Sequence, residues 1–197
     1  MSNIAAKPLN GLKVAILVAN GFNENQMTFF QRGVLEAGAN PRIVSVENGL
    51  ANGWQGKAWG HYFAVDCPLT DALAADFDIL VIPGGQRSLD KLKLTAHTRR
   101  FIGGFMAAQK PVALIGDAIS LLVNTGQVKG VMVTGDESFK QSVLDAGGAW
   151  AENSPTIWSH VMTWNNIEEN LTEMVEAFIN FAAEQINSPA DEELAAA

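Results

Sequence analysis

Cysteine is nearly absent: of 197 residues only Cys67 carries a thiol. That excludes an internal disulfide framework and any metal site built from several thiolates. Basic residues are scarce and unevenly placed. Lys and Arg total 13 against 21 Asp and Glu, giving a net charge of −8 and a pI near 4.8. The last basic residue is Lys140, and ten acidic residues follow it. A chain without a basic face is no general binder of phosphate backbones, so no nucleic-acid partner is expected. The acidic stretch reads as a solvated helix face. No apolar run approaches the ~20 residues of a membrane span, so no membrane partner is expected. The polar first ten residues hold no apolar signal core, and a soluble cytoplasmic protein is the expectation. His61, His97 and His160 show no metal-ligand spacing. H-E-x-x-H, G-x-G-x-x-G and the P-loop pattern are all missing, so no metal or cofactor is expected.

What the chain does have is globular composition, with 48% hydrophobic and 17% charged residues. Its length suits one domain across 1–197, with a core over about 12–187 and frayed ends such as 190–197. Apolar, partly β-branched runs at 13–19 (KVAILVA), 77–82 (FDILVI) and 111–115 (PVALI) read as strands buried on both faces. Shorter strands are expected at 42–46 and 131–134. Helices are expected from about Met27 to Leu35, then over 99–108, 118–123, 138–146 and 168–186. The segment 49–66 reads as a hairpin or edge excursion. Strand–helix alternation predicts an α/β fold, a mostly parallel sheet covered on both faces, with 13–19, 77–82 and 111–115 as neighbouring central strands.

Ligands of such sheets bind at the carboxyl ends of the strands. Three loops should meet there: 20–26, rich in amides (Asn20, Asn23, Asn25, Gln26) and holding Glu24; 83–88, with Gly84, Gly85 and Arg87; and Gly116-Asp117. The last is a sharp strand-to-helix turn, the architecture of a nucleophile elbow.

These residues resemble the ThiJ/PfpI family of the class I glutamine amidotransferase-like superfamily. The resemblance runs from about 13 to 183. It is carried by KVAILVANGF (13–22), WQGKAWGHYFAVD (54–66), FDILVIPGG (77–85), KPVALIGDAISLL (110–122) and DAGGAW (145–150). It implies a flavodoxin-like three-layer sandwich and a homo-oligomer, most simply a dimer. In active members the elbow reads Cys-His-Gly, with a carboxylate from the first loop beside the thiol. Here Gly116 stands for the Cys, Asp117 for the His and Asn23 for the Glu, while Gln26 replaces a second acid. The pattern is that of an inactive member. It is similar to the C-terminal domain of large-subunit bacterial catalases, which has a comparable Gly-Asp-Ala elbow. Glycine would relax a backbone strain tolerated only when it presents a reactive group.

The expectation is a non-catalytic protein with a binding, regulatory or structural role. Its degenerate site would bind a small molecule through Asn20, Asn23, Gln26, Gly85, Arg87, Gly116 and Asp117, with no catalytic and no metal-binding residue. The alternative is a hydrolase, amidase or glyoxalase/deglycase-type enzyme run by another residue; Ser120, His160 and Asp117 supply the groups of a triad but no supporting pattern. Asp117 reads chiefly as a helix-start carboxylate. Cys67 reads as structural, and a redox thiol would need a depressed pKa.

Overall fold

A computed structural model describes residues 7–165 and 170–188. In chain order the strands are β1 (Lys13–Val18), β2 (Phe22–Asn23), β3 (Asn40–Ser45), β4 (Leu50–Trp54), β5 (Trp59–Ala64), β6 (Cys67–Pro68), β7 (Ile79–Ile82), β8 (Val112–Ile115), β9 (Met132–Val133), β10 (Ala149–Trp150), β11 (Thr156–Trp158) and β12 (Val161–Trp164). The helices are α1 (Glu24–Glu36), α2 (Gln86–Lys93), α3 (Ala96–Ala107), α4 (Ile119–Thr125), α5 (Lys140–Asp145) and α6 (Leu171–Asn187).

β1 shows why the apolar runs are what they are. Successive strand side chains point to opposite faces. Val14, Ile16 and Val18 enter one core, while Ala15, Leu17 and Ala19 enter the other. All six are fully buried, each larger side chain contributing about 1.5–3 kcal/mol. The seven-stranded sheet has the order β11-β12-β8-β7-β1-β3-β6. β8, β7 and β1 are parallel neighbours at its centre, as the sequence predicts. α1 and α6 cover one face, where Phe30, Trp164 and Phe178 meet with ring centroids 5.7–6.2 Å apart. α2, α3, α4 and α5 cover the other, around Leu89, Phe101, Phe105, Leu122 and Val143. The result is the flavodoxin-like three-layer α/β sandwich.

Several expected boundaries shift. The strand expected at 42–46 begins at Asn40, because β3 pairs with β1 from Lys13 onward. The expected helix 99–108 begins at Ala96, capped by Thr95, whose hydroxyl accepts the His97 amide. The expected helices at 118–123 and 138–146 each begin with a 3-10 turn, Gly116–Ala118 and Glu137–Phe139. The strand expected at 131–134 shrinks to β9, which pairs with β10 in a separate small sheet. α6 begins at Leu171, and the part of the expected helix over 168–169 lies outside the described residues, as do 190–197. Two elements were not expected: α2, and the parallel strand β12, against which β11 runs antiparallel. The segment 49–66 is the hairpin β4–β5, and β2 extends it to three strands. Among the described residues no helix is long and apolar enough to cross a membrane.

Candidate functional site

β8 ends at the buried Ile115, and the chain must turn sharply to start α4. Gly116 makes the turn at φ +59°, a conformation costly for residues with a Cβ. This is a backbone strain of the kind that the sequence predicts glycine to relax at the elbow. Asp117 follows in the 3-10 turn, and its carboxylate accepts the Gly85 N–H at 3.0 and 3.3 Å. Gly85, at φ +121°, is the N-cap of α2. The adjoining Gly84 N–H donates to Gln26 Oε1 at 2.7 Å, and its carbonyl accepts the Asn23 N–H at 2.7 Å. Asn23 also caps α1, its side chain accepting the Gln26 amide at 3.1 Å.

The structure thus joins Asn23, Gln26, Gly85, Gly116 and Asp117 at the carboxyl ends of β1, β7 and β8. It does so tightly, because Oδ1 of Asp117 sits where a Cβ on Gly84 would go. The two amides of the Gly84–Gly85 turn already donate to Gln26 and Asp117. Each N–H serves one good acceptor, so an incoming anion would have to displace a side chain of the protein itself.

Asn20 and Arg87 do not join this group. Asn20 Oδ1 accepts the Asn52 amide of β4 at 2.7 Å. Arg87 lies in the first turn of α2, with its guanidinium 3.8 Å from the Trp54 ring centroid. The expected loops are shorter than their spans, because Glu24, Asn25 and Gln26 already belong to α1 and Arg87 and Ser88 to α2.

Burial pushes the Asp117 carboxyl above its ordinary pKa; the Gly85 and Asp117 amides oppose this, nearby Asp136 adds to it, and Lys93 offsets part. His160 is unavailable to Asp117. It precedes β12, and its carbonyl accepts the Val112 amide at the amino end of β8, whereas Asp117 follows the carboxyl end. No Ser120–His160–Asp117 triad forms. Cys67 lies on the edge strand β6, four strands from β8 and roughly 19 Å away at ~4.8 Å per strand. Burial, then Asp71, Asp76 and Asp66, push its thiol pKa up, against a reactive thiolate. Among the described residues no group of His, Cys, Asp and Glu could hold a metal ion.

Two features carried no role in the sequence. Glu24 is 5% exposed. Its carboxylate accepts His61 Nδ1 at 2.6 Å, the His61 amide at 2.8 Å and Gln55 Nε2 at 3.0 Å. Gly53 and Gly60 leave the room it needs. A lone acid among amides gave little signal of this. The second is a cavity of about 240 Å³ beside the elbow, lined by Thr134, Asp136, Glu137, Trp150, Glu152 and Asn165. The Asp136 amide donates to the Gly116 carbonyl at 3.1 Å, tying this wall to the elbow. The acidic pair Asp136-Glu137, two residues beyond the end of β9, was the signal that could have revealed it.

Deglycase PH1704 of Pyrococcus horikoshii is 27% identical over 141 residues, 72% of this chain and 82% of that protein. General stress protein 18 of Bacillus subtilis is 32% identical over 138 residues, 70% and 78% of the respective chains. Protein DJ-1 homolog D of Arabidopsis thaliana is 36% identical over 96 residues, and that match spans 49% of this chain but only 24% of the plant protein. Among solved structures, a two-domain protein from Anabaena variabilis with DJ-1/ThiJ/PfpI-like and ferritin-like domains superposes with a TM-score of 0.79 at 23% identity. That alignment covers 94% of this chain and 52% of that one. The DJ-1/PfpI family model matches residues 12–180, and the chain belongs to that family.

Proposed function

We propose that this chain is a non-catalytic DJ-1/PfpI protein that binds a small molecule beside its degenerate elbow. The observation that carries the reading is Gly116, at φ +59°, at the tip where active relatives place their thiol. Its neighbour is a carboxylate, and the chain's one thiol lies on β6. Without an activated nucleophile covalent catalysis is lost, and binding effects do not restore it. The turn amides, held by Gln26 and Asp117, are likewise not free to receive an oxyanion. The competing reading is a deglycase-type enzyme, as the name of the Pyrococcus relative suggests, with Asp117 as its acid or base. A homo-oligomer is also part of the proposal, with β5 as an edge that exposes Trp59 and Tyr62.

The test is turnover of dicarbonyl, glycated-amine and peptide substrates by purified protein. The expected rate is background. A robust rate that survives Cys67→Ser but is lost in Asp117→Asn would establish the enzyme reading instead. Light scattering across a dilution series reports the oligomer.

A further inference from the structure

The chain holds four Asn-Gly pairs: Asn10-Gly11, Asn20-Gly21, Asn48-Gly49 and Asn52-Gly53. In such a pair the glycine nitrogen can attack the asparagine side chain, because glycine brings no Cβ to obstruct the backbone rotation that aligns them. The fold treats the four differently. The Gly11 N–H donates to the Gly38 carbonyl at 3.1 Å, and the Gly21 N–H to the Asn52 carbonyl at 2.8 Å. Asn20 is also held by its side chain, whose Oδ1 accepts the Asn52 amide. Asn52 and Gly53 lie inside β4, opposite Tyr62 of β5 and Phe22 of β2 respectively, and a strand residue cannot rotate without breaking its ladder. Asn48-Gly49 has none of these restraints. Both residues are exposed in the turn between β3 and β4. Among the described residues the Gly49 N–H donates no hydrogen bond. Apart from its chain neighbours, nothing lies within 4 Å of where a Cβ on Gly49 would stand. The backbone is already bent there: Gly49 has φ +77°, and the Leu50 N–H returns to the Asn48 carbonyl at 2.9 Å, a three-residue turn.

We propose that Asn48 is a site of spontaneous deamidation in the folded protein, with water as the co-reactant. The inference does not depend on whether the elbow is catalytic. The Gly49 nitrogen loses its proton to hydroxide and attacks Cγ of Asn48, an intramolecular step favoured by proximity. The N–Cγ bond forms, the Cγ–Nδ2 bond breaks, and ammonia leaves with a proton from water that balances the one given up. One water then opens the five-membered imide. Cleavage of the new N–Cγ bond leaves aspartate; cleavage at the original backbone carbonyl leaves isoaspartate, whose main chain runs through Cβ and Cγ. Either product puts a carboxylate beside Glu47, whose Oε1 takes the Asn20 amide at 3.0 Å and Lys91 Nζ at 2.8 Å. Isoaspartate also adds one main-chain atom just before β4, where the Gly49 carbonyl accepts the Val65 amide at 2.9 Å. β4 in turn holds the Asn20-Gly21 turn through the amide and carbonyl of Asn52, so the modification reaches the first loop of the candidate site.

The test is peptide mapping by mass spectrometry of the full chain, aged in mildly alkaline water enriched in heavy oxygen, folded and, in parallel, in denaturant. In the folded sample the Asn48 peptide should lose its amide, take up one heavy oxygen and split into aspartate and isoaspartate forms. Asn10 should convert more slowly, and Asn20 and Asn52 at least about tenfold more slowly, since each needs a local opening first. In denaturant the four rates should converge. No conversion at Asn48 in the folded chain while the denatured chain converts overturns the assignment, as does conversion at any of the other three that keeps pace with it. Asn48→Gln would need a six-membered ring and should stay unlabelled at this position; label there overturns the imide route. The Asn52 amide should exchange hydrogen faster in the isoaspartate fraction than in the Asn48→Asp variant. Equal exchange overturns the reach to the site loop.

Discussion

Asp117 is a carboxylate where burial penalises charge, and its protonation is linked to stability. Its folded pKa is raised, so the stability linked to its protonation is fully present below the unfolded value near 4 and lost as pH rises through the folded value. Asp117→Asn keeps an oxygen for the Gly85 N–H and removes both the buried charge and the repulsion from Asp136. The variant should be more stable than the parent at neutral pH by on the order of 1 kcal/mol. The advantage should shrink on acidification and vanish below about pH 4. Denaturant titrations at neutral pH and at about pH 4 check this; a constant difference between them would mean that Asp117 is not the titrating group. The neighbouring Gly116 gives a second expectation. A Cβ at φ +59° costs roughly 1–3 kcal/mol, so Gly116→Cys should fold with a lowered melting temperature. Its new thiol would face Asp117, which opposes the thiolate, and dicarbonyl turnover should stay at background.

The hairpin β4–β5 is held to α1 chiefly through one side chain. Glu24 accepts from the His61 ring and amide and from Gln55, all on or beside the hairpin. Burial raises its pKa, but those hydrogen bonds outweigh it and hold the carboxyl below its ordinary value. The latch should therefore persist through mild acid and fail only as pH falls through that lowered value. Glu24→Gln offers an N–H₂ where an acceptor is needed, and hydrogen bonds to charged groups contribute about 1.5–3 kcal/mol each. Faster hydrogen exchange of the β5 amides, with the central strands unchanged, is the expected signature. Equal loss of protection everywhere would make Glu24 a global rather than a local contact. This element also marks the limit of the sequence. β1, β7 and β8 were legible because strands buried on both faces must be continuously apolar. The elbow was legible because a glycine follows the apolar run of β8 directly and opens the next helix, where the chain must turn sharply. The Glu24 latch was not, since it depends on Gly53 and Gly60 lying across from it, a pairing 29 and 36 residues away. α2 was missed because Gln86–Lys93 is mostly polar and buries only Ser88, Leu89 and Leu92. β12 was missed because Val161–Trp164 is short and mixes Thr163 into a buried run.

The whole molecule should lose stability on acidification through a group at the opposite end of the sheet. His160 is 8% exposed, its Nε2 has no partner among the described residues, and burial pulls its pKa below the ordinary value. The fold prefers the neutral ring, while the unfolded chain takes up a proton near pH 6.5. The stability it contributes is present above about pH 6.5 and lost as pH falls through the lowered folded value. A second effect runs the other way. The net charge of −8 repels itself, and protonating exposed carboxylates relaxes that repulsion, mostly below pH 5 where they titrate. The two are separated by comparing variants, because the global term is common to both proteins. His160→Asn keeps a polar atom near Ser159 Oγ, which lies 3.2 Å from the His160 ring, but cannot take a proton. It leaves part of a ring-sized space and should cost roughly 1–3 kcal/mol at pH 8. Between about pH 7 and 5 the parent should lose stability and the variant should not, so the gap between them closes as pH falls. Denaturant midpoints at half-unit steps across that window measure the gap. A gap that stays constant would mean that His160 is not the group whose protonation destabilises the fold in that window.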